Sequence, residues 1–315
     1  MPPHKTANNP PLPFRARIFL PSGGLYGWHL STLQGPDASD FLHRISTADV
    51  RNLKPGEGAS AFLLDERGKA LACFYVWKRG PDSFLIEFDP GPLGEWQTSF
   101  HQRVERLTFS EKMTWSPVPG SIAWIFPDAN LPETAALLLR ETPQGIILNH
   151  GSRVFGRAWS TVIAAPNQTI QEESDAADPV DATTLDRWRL EALAWWPSRE
   201  GRPGEFTPLE LGAGDGVAGN KGCYPGQEVI EKMISLGAPP RRLVRLSLAD
   251  GVSIPDGTPV TTEADSAPRV GTVSTCVEGQ ALAVLQKICA KPGSKLLVRP
   301  VAGQAVAATV TREMK

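Results

Sequence analysis

The stretch Lys221-Gly222-Cys223-Tyr224-Pro225-Gly226-Gln227-Glu228 decides the reading of this 315-residue chain. It brings a thiol, a cation, a carboxylate, an amide and two glycines into one short segment. Glycine permits a positive φ or a close backbone approach, and Pro225 fixes φ and removes a donor. The sequence therefore predicts a shaped loop, not a helix interior. A cation near a thiol raises its thiolate fraction, which makes Cys223, close behind Lys221, a candidate functional thiol. The other reading is a small buried cysteine that locks the loop. Polar residues clustered around it would be costly to bury without purpose, and this favours function.

Outward from the loop, length and composition bound the rest. A chain of 315 residues can hold two or three cores. With 29 glycines and 29 prolines, short elements joined by turns are expected, and a long-helix bundle is excluded. The formal charge of −2 supplies no global field for nucleic acid or an anionic membrane, which leaves only a local basic patch. Cys73, Cys223, Cys276 and Cys289 form no Cys-x-x-Cys pair and have no histidines at ligand spacing, so no metal site is expected. Their scarcity suits a reducing, cytoplasmic compartment. No apolar run reaches membrane-spanning length. Residues 1–20 read as a disordered tail without a signal-peptide core.

Residues 25 to 34 alternate as a strand, and Asp37 is placed to cap a short helix through Phe41, Leu42 and Ile45. Residues 58 to 77 read as a hairpin about Asp65-Glu66-Arg67-Gly68, and Ser83 to Phe88 as a third strand of one antiparallel sheet. Helices are expected over 93 to 107 and from Leu131 to Glu141. Strands are expected at Ile122 to Phe126, Gly145 to Asn149 and Arg157 to Ala164. Residues 166–183 are acidic and read as a solvated linker. Leu185, Trp188, Leu190, Leu193 and Trp196 suit a helix from Thr184, capped by Thr183 or Thr184. Beyond Pro240 short alternating runs predict a small β domain, closed or double-sheeted. The domain boundaries expected are an α+β portion over 21–165, the helix and signature loop over 184–238, and a barrel over 239–315.

The octapeptide resembles the signature of the YgfZ family, folate-binding proteins related to the glycine cleavage T protein and to mitochondrial iron–sulfur assembly factors. Other matches fall in order. Gly35-x-Asp37-Ala38-x-x-Phe41-Leu42 with Ser46-Thr47-Ala48-Asp49-Val50 looks like the amino-terminal block, and Leu63-Leu64-Asp65-x-x-Gly68 like the hairpin. Arg189-Leu190-Glu191-Ala192 looks like the Arg-Ile-Glu-Ala helix, Thr207-Pro208-x-Glu210 like the loop before the signature, and Gly271-Thr272-Val273-Ser274 like the barrel. The resemblance implies a three-lobed, aminomethyltransferase-like α+β fold with a small C-terminal β-barrel. It also implies a central hole for tetrahydrofolate and a role in assembling or repairing iron–sulfur enzymes, some of which modify tRNA.

The same resemblance assigns Trp28 to the folate slot. The second expected tryptophan position is Leu185, with Trp188 nearly one turn further along the same helix face. Glu191 is expected either on the pterin edge or paired with Arg189 or Arg187 at the surface. Lys221 is expected to aid Cys223 or to hold the glutamate tail, and Gln227 and Glu228 to fix the loop on backbone groups. Tyr224 joins the expected folate set. In the T protein a paired Asp-Asp follows the hairpin turn. Here those positions are Leu71 and Ala72, which argues against aminomethyl transfer. What is expected is a monomeric folate-binding protein whose partners are iron–sulfur clients. The alternative is a folate-dependent transferase or demethylase that uses another carboxylate.

Overall fold

The computed structural model describes residues 14–20, 30–88, 95–118, 122–127, 137–143, 145–151, 158–164, 178–237, 239–249, 251–262, 268–301 and 303–314. Strand β1 (Phe14–Leu20) corrects the expected tail. Its sequence Phe-Arg-Ala-Arg-Ile alternates with a period of two, and its backbone groups pair with a neighbouring strand, Ala16 opposite Phe126. Next come β2 (Leu30–Gln34), helix α1 (Ala38–Ile45), β3 (Gly58–Leu64), β4 (Ala70–Gly80), β5 (Ser83–Phe88), helix α2 (Glu95–Leu107) and β6 (Thr114–Pro117). These strands form an antiparallel sheet in the order β3-β4-β5-β2-β6, so the expected hairpin and third strand are present.

Alternation sorts the two faces of this sheet. Phe74, Val76, Phe84 and Ile86 pack with Phe41, Leu42 and Ile45 of α1 and Phe100 of α2. Tyr75, Trp77 and Leu85 point the other way, against Leu137, Leu148 and Ile163. Those last residues belong to the side of a six-stranded sheet built from β1, β7 (Ile122–Pro127), β8 (Leu138–Thr142), β9 (Gly145–Gly151), β10 (Trp159–Ala164) and β11 (Asp178–Pro179), in the order β11-β1-β7-β10-β9-β8. A polar cluster is buried where the two sheets meet. Glu87 accepts from Trp77 Nε1 at 2.6 Å and from Thr161 Oγ1 at 2.7 Å, and its Oε1 lies 3.0 Å from His150 Nε2. The imidazole lies flat on Trp159, with centroids 3.7 Å apart.

Four expectations need correction here. Leu138–Thr142 is a strand, not the end of a helix; residues 131–136 of that expected helix lie outside the described residues. Pairing of Leu139 with Leu148 and the bridge between Glu57 and Leu138 override the helical composition. Asp37 does sit at the N-cap of α1, yet its carboxylate accepts from Lys112 N at 2.6 Å and makes no cap bond. Helix α3 (Ala182–Ala192) is capped by Asp181, which accepts from Thr184 N at 2.7 Å, so neither Thr183 nor Thr184 is the cap. The acidic linker over 166–183 gives way from Asp178 onward to β11 and the start of α3, and residues 166–177 lie outside the described residues.

After α3 come the short helix α4 (Pro197–Glu200), two 3-10 turns (Pro208–Leu211 and Gly214–Gly216) and helix α5 (Gln227–Ser235). The chain ends in a closed antiparallel barrel: β12 (Arg241–Ser247), β13 (Pro259–Thr261), β14 (Arg269–Val277), β15 (Gln280–Gln286), β16 (Lys295–Val298) and β17 (Val306–Glu313), ordered β12-β15-β14-β13-β16-β17. Closure removes exposed edges, and the interior is apolar, with Val244, Leu246, Val260, Val273 and Leu285 at its centre. An ion-pair network fastens α3 and α4 to this barrel. Arg189, fully buried, donates to Asp186 at 2.8 Å, to Thr275 at 3.2 Å and to Glu200. Glu200 also accepts from Ser274 Oγ at 2.9 Å and from Trp196 N.

Candidate functional site

The signature loop lies where α1, the β3–β4 hairpin and the 3-10 turns converge, and its sequence explains how it is held. Helix α1 leaves carbonyls without intrahelical partners at its C-terminus, where a positive charge is favoured. Lys221 supplies both needs: its Nζ donates to the carbonyls of His43 and Ser46 and, at 3.0 Å, to that of Ala48. The ammonium also sits 5.2 Å from the centre of the Tyr224 ring. Burial lowers its pKa to about 8, with Asp49 opposing the shift. An ammonium has three hydrogens, and three carbonyls take them. The expected contacts of Lys221 with Cys223 or a glutamate tail are therefore not what its hydrogen bonds serve; it anchors the loop.

Thr47, fully buried, makes the second anchor. Its hydroxyl donates to Gly216 O at 2.6 Å and accepts from Phe62 N at 2.8 Å, while its backbone pairs with Phe62 O and Ala218 N. One residue thus stitches the turn after α1 to β3 and to the segment that leads into the signature. Tyr224 is the third anchor. It is buried among Phe62, Leu64, Ala70, Trp96, Ala213 and Ile230, and burial pushes its phenol up to about 12.

Gly226 is the fourth. At φ +78 it serves as N-cap of α5, and a Cβ there would meet Asp65 O and come within 2.9 Å of Gly68 Cα. Only glycine fits both the conformation and the approach. Asp65 itself holds the hairpin turn, with Oδ1 accepting from Arg67 N at 2.9 Å and Lys69 N at 2.8 Å. Gln227 and Glu228 depart from expectation because helix α5, which the sequence reading missed, begins at Gln227. The Gln227 amide donates along the helix to Glu231 Oε1 at 2.6 Å, and Glu228 is exposed in the first turn.

Against this fixed frame Cys223 is exposed, whereas Cys73 and Cys289 are buried and Cys276 is half-buried. A Cβ added at the adjacent Gly222 would meet nothing within 4 Å. The loop is therefore held at Lys221, Tyr224 and Gly226 and open at 222–223. Burial raises the thiols of Cys276 and Cys289, as suits inert packing residues.

A cleft of about 380 Å³ shares the Ala48 wall with this loop. Leu53, Ala59, Leu137 and Leu138 give it apolar sides, and Asp49, Glu57, Asp215 and Ser60 place oxygen acceptors around it. The other expected residues group elsewhere. Half-buried Trp188 and exposed Glu191 lie on α3, which packs on β14 and β15 of the barrel. Of the two arginines expected beside Glu191, Arg189 turns inward to Asp186 and Glu200, while Arg187 pairs with Glu278 at 2.7 Å and also feels the charge of Glu191. Trp28 lies outside the described residues. A tryptophan that the sequence reading passed over, Trp195, stacks on Phe62 with centroids 5.8 Å apart. Leu193, in the left-handed region at φ 58, turns the chain after α3 and brings Trp195 there. On β4, Leu71 is half-buried and Ala72 fully buried in the core, so neither position offers a carboxylate.

Thr207 and Glu210 form a capping box just before the loop. Glu210 also accepts from Lys69 at 3.0 Å and Arg241 at 2.8 Å. Burial pushes this carboxyl up, but hydrogen bonds from Arg241 and the Thr207 backbone and the charges of Arg241 and Lys69 outweigh it and hold it below its ordinary value. Among the described residues no group of three or more His, Cys, Asp or Glu could hold a metal ion, and no helix is long and apolar enough to cross a membrane.

No family model matches the chain. It is 24% identical over 252 residues to the tRNA-modifying protein YgfZ of Pectobacterium carotovorum, covering 76% of this chain and 74% of that one. It is 26% identical over 250 residues to the mitochondrial iron–sulfur cluster assembly factor IBA57 of Mus musculus, covering 73% and 68%. Its fold is that of the glycine cleavage system aminomethyltransferase T of Bartonella henselae, with a TM-score of 0.74, 18% identity, and 96% and 86% of the two chains covered.

Proposed function

We propose that this chain, which has the aminomethyltransferase T fold and is similar to YgfZ and IBA57, is a YgfZ-like protein that binds a reduced folate and supports iron–sulfur clusters in client enzymes through Cys223, without turnover of its own. The observation that carries the reading is the contrast within the signature loop. Lys221, Tyr224 and Gly226 are immobilised, and the thiol between them is exposed. A fixed, accessible thiol suits brief ligation of iron. Its sulfur releases a proton to solvent, donates an electron pair to an iron of the client's cluster, and leaves when a client cysteine replaces it. The cluster is cargo here, and the protein acts in the cytoplasm as a monomer.

Tetrahydrofolate fits the chemistry of the cleft beside the loop. A pterin needs an apolar slot and acceptors for its amino and N–H edge, and the leucines and carboxylates of that cleft supply them. When bound, the folate would supply one-carbon chemistry. The chain's own residues bind and orient it: Asp49 and Asp215 accept from the pterin edge, and Leu53, Leu137 and Leu138 cover its faces. Methylene transfer is not proposed, because Leu71 and Ala72 can neither accept a proton nor stabilise an iminium. Any effect on tRNA passes through iron–sulfur clients. Titration with tetrahydrofolate, followed by tryptophan fluorescence, tests the binding: saturable quenching, weakened in Asp49→Ala with Asp215→Ala, is expected. No saturable change in the wild type would remove the folate from the account.

A further inference from the structure

We propose that the cleft between the α4 segment and the barrel binds a small multivalent oxyanion, carrying either phosphate or carboxylate groups. This cavity, about 670 Å³, is lined by α4 and residues 201–206 on one side and by β14, β15 and Asp256-Gly257 on the other. None of its lining residues belongs to the signature loop, so it stands apart from the site proposed above.

Four arginines from three segments line it: Arg199 and Arg202 from α4 and the turn after it, Arg241 from β12 and Arg269 from β14. Two are held by the protein. Arg199 bridges Asp186 at 3.2 Å and Asp256 at 3.0 Å. Arg241 is gripped by both oxygens of Glu210, at 2.8 and 3.1 Å, with its guanidinium 4.4 Å from the centre of the Phe206 ring. The other two have no carboxylate partner among the described residues. Arg269 donates to Gly271 O at 3.2 Å and to Thr272 Oγ1, both on its own strand.

The carboxylates that face the cleft already hold donors. Glu200 is engaged by Arg189, Ser274 and the Trp196 backbone, Asp256 by Arg199, and Glu205 by the Arg202 backbone at 3.0 Å. Arg202 and Arg269 thus line, without a carboxylate partner among the described residues, a cleft that also holds Phe206, Val270 and Val284. Planar guanidinium forks match phosphate and carboxylate oxygens in pairs, and apolar surroundings strengthen the attraction.

Calorimetric titration of the full chain with pyrophosphate and with tricarballylate at low ionic strength tests this. One of the two probes binds one-to-one with a Kd of about 1 mM or tighter, and which one names the phosphate or carboxylate source. Binding weakens about tenfold or more in R202Q/R269Q and falls with added salt, while tetrahydrofolate binding is unchanged. If the double variant does not fold, R202Q and R269Q singly carry the same comparison. Absence of binding for both probes, or binding that the substitutions leave intact, overturns the proposal.

Discussion

The ammonium of Lys221 donates to the carbonyl of Ala48 at 3.0 Å, which ties the first residue of the signature loop to the turn that follows α1. With His43 and Ser46 sharing the same cation, removal of the charge leaves the carbonyls of three buried residues without their donor. Lys221→Met is expected to cost about 1 to 3 kcal/mol in denaturant unfolding and to speed amide exchange over residues 221–226. Unchanged stability and exchange would mean the lysine does not anchor the loop.

The two glycines of the loop have different duties. Gly226→Ala must place a Cβ at φ +78 against Asp65 O and Gly68 and is expected to cost about 2 to 4 kcal/mol. Gly222→Ala meets open space and is expected to stay within about 0.5 kcal/mol of wild type. Thermal melts of the pair measure the contrast, and equal losses would contradict the packing described.

How much of this could be read in the sequence depended on the range of the interactions. The hairpin about Gly68 and the short runs of the barrel were legible because alternation and turn residues act locally. Strand β8 was not, since Leu131 to Glu141 has helical composition and only its pairing with β9 and the bridge to Glu57 decide otherwise. Helix α5 was hidden because Pro225 and Gly226 mark a loop directly before it, although Val229, Ile230, Met233 and Ile234 recur at helical spacing. The octapeptide announced an important loop, yet the partners of Lys221 lie 173 to 178 residues away, where no spacing rule reaches. For the same reason Thr47 as a three-way stitch and Trp195 on Phe62 emerged only from the fold.

Glu210 offers a test by pH. Its carboxyl is held below its ordinary 4.5, so its contribution to stability is present above that value and is lost as pH falls through the lower folded-state value. Glu210→Gln, which breaks a buried pairing with Arg241 and Lys69, is expected to cost about 3 kcal/mol at pH 7. The gap from wild type should narrow steadily below pH 4.5. A gap independent of pH would show that the charge is immaterial.

The buried Glu87 joins the two sheets through Trp77, Thr161 and His150. Glu87→Ala strands all three buried groups and is expected to destabilise by about 3 to 5 kcal/mol. Paired with His150→Leu in a double-mutant cycle, it should show a coupling well above about 0.5 kcal/mol. Additive losses would separate the two residues energetically.

The most direct test of the account is Cys223→Ala, compared with wild type in cells that lack the endogenous gene, with iron–sulfur enzyme activities as the readout. The variant is expected to fold, melt and bind tetrahydrofolate as the wild type does, because the thiol is exposed and holds nothing in the loop together, and to fail to restore those activities. Full restoration by Cys223→Ala would contradict the claim that the loop exists to present this thiol.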